Sequence, residues 1–89
     1  MKFIKDYQAP NAHDLVTLKN QLGYTGAQMA DLAGVAGDSQ WRKYTRRENP
    51  RTINPHILFF MAAQLVLNNT EIQKVIEKMD AIGAKINRF

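Results

Sequence analysis

Apolar residues recur along this chain at spacings of three and four, with polar residues between them. No β-hairpin signal appears anywhere along it. That period puts side chains on one face of an α-helix. Leu15, Leu18 and Leu22 make the first stripe, with Asn11 ahead of it as an N-cap, Asp14 bringing a carboxylate to the helix start and Gly23 stopping it. A helix is therefore predicted over 12–22. A second is predicted over 26–33, where Thr25 and Gln28 form a capping box and Met29, Ala30, Leu32 and Ala33 form the buried side. A third begins at Asp38 or Ser39, either of which can cap it, and runs to Glu48 ahead of the Asn49-Pro50 breaker. Trp41 and Tyr44 share one of its faces, which predicts a core plug and not a base-stacking platform.

A fourth helix opens on Asn54 as N-cap with Pro55 at its first position. Ile57, Leu58, Phe59, Phe60, Met61, Leu65 and Val66 make it apolar almost all round, which predicts a central position. A fifth starts at Thr70, with Gln73 completing a capping box, and ends at Gly83. The predicted class is all-α: a compact five-helix domain over 11–83, an N-terminal arm over 1–10 and a C-terminal tail over 84–89 that carries Ile86 and Phe89. The arm holds Phe3, Ile4 and Tyr7; it can pack on the domain, pair with a second chain, or stay free.

Length and composition narrow the chemistry. At 89 residues there is room for one small core, and a partner subunit would help to stabilise it. The chain has no cysteine, so disulfides and thiolate-bound metals are excluded. His13 and His56 have no carboxylate at metal-ligand spacing, and Ser39 has no positioned base in sequence reach. No metal, no cofactor and no enzymatic activity are expected. Residues 1–6 lack the apolar core of a signal peptide, and the longest apolar run, 57–63, is far short of the ~20 residues that span a bilayer. A cytoplasmic location and no membrane partner are expected.

Charge changes the picture most. Residues 42–51 hold Arg42, Lys43, Arg46, Arg47 and Arg51 against Glu48 alone, a net +4, and the rest of the chain is neutral. A bland reading of Arg46-Arg47 is a solvated helix end, but five bases in ten residues exceed ordinary surface scatter. Focused charge of this kind is the footprint of a polyanion binder.

The same window overlaps the second half of a helix-turn-helix pattern. Two short helices at a sharp angle need a small residue at the crossing, a residue tolerant of positive φ in the turn, and an apolar residue to plug the elbow. Ala30, Gly34 and Val35 meet these needs, and Trp41 and Tyr44 anchor the second helix. Over about residues 12–67 the chain resembles the lambda-repressor-like (Cro/C1, XRE-type) helix-turn-helix family, with Ala30, Gly34 and Val35 at its signature positions. By length and by its Trp41-Arg42-Lys43-Tyr44 segment it also resembles, more weakly, the small phage repressors found beside anti-CRISPR genes. It departs from the pattern in a turn one residue longer, at Ala36-Gly37-Asp38, and in having Arg46-Arg47 where a glycine often follows the recognition helix.

The resemblance implies that the third helix enters the DNA major groove. Ser39, Gln40 and Lys43 are then candidates for base readout, Arg42 for readout or phosphate, and Gln28, Arg46, Arg47 and Arg51 for phosphate. Ile72, Val75, Ile76, Met79, Ile82 and Ile86 are candidates both for packing on helices 1 and 4 and for a homodimer interface, since the family usually dimerises on palindromic sites. The leading expectation is a small dimeric repressor of phage or mobile-element type, binding double-stranded DNA. The alternatives are the DNA-binding antitoxin of a toxin–antitoxin pair, and an interaction module that has lost DNA binding.

Overall fold

The computed structural model describes residues 2–87, which form five helices and no strand. Met1 of the arm and Phe89 of the tail lie outside the described residues. The helices are α1 (Ala12–Leu22), α2 (Gly26–Ala33), α3 (Asp38–Thr45), α4 (Pro55–Val66) and α5 (Asn69–Ile82).

Local hydrogen bonds explain most of these boundaries. Asn11 and Asp14 close a reciprocal capping box on α1, as Thr25 and Gln28 do on α2. Asn54 Oδ1 accepts from the Ile57 amide, and Pro55 begins α4 without a lost donor. Gly23 and Gly83 end α1 and α5.

Three boundary features differ from the sequence reading. Helix α3 has Gly37 as its N-cap with no side-chain cap, so neither Asp38 nor Ser39 plays that part. It also stops at Thr45 and not at Glu48. Arg46 turns extended, Asn49 takes φ 46°, and the Arg51 amide donates to the Lys43 carbonyl at 2.7 Å. This backbone bond folds residues 46–50, Pro50 among them, back against the helix end. Helix α5 starts at Asn69, because Asn68 and Glu71 form the capping box expected of Thr70 and Gln73.

The core comprises Leu15, Met29, Ala30, Leu32, Ala33, Trp41, Tyr44, Ile53 and Met61. Helix α2 packs on α3 and α4, and α1 packs on α3. Ile53 lies in a loop with no periodicity to announce it, yet it is fully buried. The Tyr7 hydroxyl donates to the Ile53 carbonyl at 2.7 Å, which seats the Tyr7 part of the arm on its own domain, while Phe3 stays exposed. Burial raises the Tyr7 pKa above its ordinary value, because phenolate is poorly solvated there. The folded state therefore holds this proton more tightly, and the resulting stability is full below pH ~10 and lost as pH rises beyond it. Tyr7→Phe is expected to cost ~1 kcal/mol at neutral pH and to lessen that alkaline loss, as measured by urea unfolding at several pH values.

Helix α4 is not central. Only Met61 is fully buried, while Phe59, Phe60, Leu65 and Val66 are exposed. Helix α5 has no buried residue at all. Nor is the molecule compact, since its radius of gyration is 14.4 Å, against about 12 Å for a close-packed chain of this length.

Candidate nucleic-acid interface

Helix α3 carries the candidate residues, and its phase decides which of them face outward. At 100° per residue, Trp41 and Tyr44 point to the core and are almost wholly buried. Their rings meet at 6.0 Å and 54°, a tilted aromatic pair. The opposite side must then carry Ser39, Arg42 and Lys43, and Arg46, just past the helix end, lies beside them. These four line one open hollow of about 380 Å³.

The turn that presents α3 depends on Gly34. It ends α2 at φ 72°, and the Val35 amide returns to the Ala30 carbonyl at 3.0 Å. A Cβ at this position would lie 3.1 Å from the exposed ring of Phe60, which can yield, so the backbone angle sets the cost. Gly34→Ala is expected to lower stability by ~1 kcal/mol, seen as a smaller urea midpoint at unchanged slope.

Around the hollow, local contacts set what each cation can offer. Arg46 Nε donates to the Asn49 carbonyl at 2.9 Å, so this arginine also closes the turn after α3. Its Nη groups carry its remaining donors. Arg42 Nε lies 3.4 Å from Asp38 Oδ2, an exposed pair of little energetic weight. Asp38 also occupies the space over Gly26, where any Cβ would collide with its carboxylate. The sequence reading did not single out Asp38 as a neighbour of Arg42. Their i, i+4 spacing was the available signal.

The other candidates sit apart from this group. Gln40 is half-buried on the flank of α3 beside the Tyr44 side. Arg47 is exposed within the turn at 46–49. Arg51 lines a separate hollow of about 300 Å³ with Tyr44, Pro50 and arm residues Ala9 and Pro10. Gln28 is exposed on α2 and lines a third hollow with Tyr24, Asp31 and Gln64. Its Oε1 is taken by the Thr25 amide, which leaves its NH₂ group to donate.

The arrangement offers guanidinium, ammonium and hydroxyl donors on an open surface, which suits a polyanion. Among the described residues no cluster of His, Asp or Glu is placed to hold a metal ion, and no helix is long and apolar enough to cross a membrane. No protein-family model, curated protein or solved structure matches this chain.

Proposed function

We propose that this chain binds double-stranded DNA in a sequence-specific manner, with α2 and α3 acting as a helix-turn-helix and α3 as the reading helix. It acts as a small dimeric repressor that covers a promoter. The observation that carries this reading is the outward stripe of α3, where Ser39, Arg42, Lys43 and Arg46 share one open hollow while Trp41 and Tyr44 brace the helix from behind.

Within this reading Ser39 and Lys43 contact base edges, and Arg42 contacts bases or the neighbouring phosphate. Arg46, Arg47 and Arg51 contact phosphates around the end of α3, and Gln28 contacts one from the first turn of α2. Gln40, half-buried on the flank of α3, is a further base-contact residue in this reading. The unmatched +4 in residues 42–51 supplies the sequence-independent attraction.

Selection from random duplex DNA at two salt concentrations tests the proposal. Enrichment of a short palindrome, with affinity falling steeply as salt rises, is the expected result. Failure to retain any duplex at low salt would remove it. In that case the interaction-module reading takes its place, with the basic hollow meeting an acidic protein surface.

A further inference from the structure

We infer that Asp38 is a specificity-determining residue: its carboxylate holds Arg42 for reading a base edge and turns it away from phosphate. The inference rests on the DNA-binding reading and names which of two contacts Arg42 makes within it.

The carboxylate of Asp38 is wedged between two helices. On one side it fills the space over Gly26, the first residue of α2, where a Cβ would collide with Oδ1. On the other side Oδ2 lies 3.4 Å from Arg42 Nε, one turn further along α3. A glycine at 26 is thus what admits the carboxylate. Capping does not explain the placement, since the N-cap of α3 is Gly37 and the helix has no side-chain cap. Asp38 is half-buried, while the Arg42 side chain is 69% exposed. Asp38 is therefore the fixed member of the pair, and Arg42 is the one it positions. Lys43 and Arg46, which share the hollow with Arg42, form no ion pair among the described residues.

Such a neighbour changes which partner a guanidinium prefers. The pair engages Nε, so both Nη groups keep their donors for a partner outside the chain. Two parallel N–H donors match the O6 and N7 acceptors of a guanine in the major groove. They match a phosphate equally well. Asp38 separates these choices. A phosphate would bring a second anion beside the carboxylate, and the two would repel. A guanine edge is uncharged and meets no such penalty. In water the pair itself weighs little. In a groove that excludes solvent the charges are less screened, and close interfacial charges couple strongly.

Fluorescence anisotropy with the selected palindrome and with a random duplex, at the same moderate salt, tests this. The readout is the ratio of the two affinities. Asp38→Asn keeps the shape of the side chain and removes its charge. It is expected to tighten the random duplex ~10-fold and the palindrome little, so the ratio falls ~10-fold. Glu77→Gln makes the same charge change on α5 and should move both duplexes alike, leaving the ratio unchanged. Arg42→Ala/Asp38→Asn should show the ratio of Arg42→Ala alone, because Asp38 acts through Arg42. Gly26→Ala offers a second route: its Cβ displaces the carboxylate with no change in net charge, and a ~3-fold fall in the ratio is expected. The near-ultraviolet circular dichroism of Trp41 should match the wild type throughout, since none of these positions belongs to the core. A ratio unchanged in Asp38→Asn or in Gly26→Ala overturns the inference. So does a fall that persists when Arg42 is alanine. Those outcomes leave DNA binding standing. A wild type that retains neither duplex removes the DNA-binding reading, and the inference with it.

Discussion

Trp41→Ala should leave much of the population unfolded at 37 °C. The indole is the largest fully buried side chain and ties α3 into the core shared with α1 and α2. Truncating a buried Trp typically costs ~3–5 kcal/mol. A small domain holds only about 5 kcal/mol or a little more in total, so most of its stability would go. Among the described residues the indole N–H has no hydrogen-bond partner, so truncation sacrifices packing and no polar contact. Trp41→Phe keeps most of the volume and removes an unsatisfied donor, so its cost should be ~1–2 kcal/mol. Urea unfolding followed by far-ultraviolet circular dichroism measures both. A Trp41→Ala midpoint equal to that of the wild type would show that α3 is not anchored as described.

The second large effect is on binding. Lys43→Ala/Arg46→Ala should lower affinity for the selected palindrome by ~100-fold or more at moderate salt. It should also reduce the slope of log K against log salt by up to ~4 for a dimer, two charges in each copy. The two residues contribute differently. Arg46→Ala alone should weaken selected and random duplexes alike, since a phosphate contact carries no sequence information. Lys43→Ala alone should cost ~1–3 kcal/mol mainly at one base pair. Because Nε of Arg46 also closes the turn at Asn49, Arg46→Lys should recover the charge but not that bond. Equal losses on both duplexes for Lys43→Ala would move that residue from the base-reading set to the phosphate set.

Much of the fold was legible because its signals are local. Asn11 with Asp14, Thr25 with Gln28, and Asn54 with Pro55 each state a helix start within four residues, and the structure forms all three. The start of α5 was misplaced because Asn68 with Glu71 and Thr70 with Gln73 both satisfy the same pattern. The end of α3 was misplaced because the bond from Arg51 to Lys43 spans eight residues and has no local signature. Ile53 escaped notice for a similar reason, since a buried loop residue has no period. Helix α4 was legible in composition but not in position. An all-round apolar helix is buried by something, and the sequence does not say whether its own chain supplies the cover. At the candidate site, the spacing of Trp41 and Tyr44 states the buried side of α3, but not which of the remaining polar residues share one hollow. It did not foretell the flank position of Gln40 or the separate hollow at Arg51.

The chain contains one tryptophan, which lies on the inner side of α3 and is only 1% exposed. An indole in such dry surroundings emits toward the blue. Release of α3 would wet it and shift the emission to the red. Any ligand lying across the outer stripe stays clear of the fluorophore. Unlabelled protein can thus be titrated by light, and the colour of its emission will report whether the helix stays seated while the opposite face is engaged.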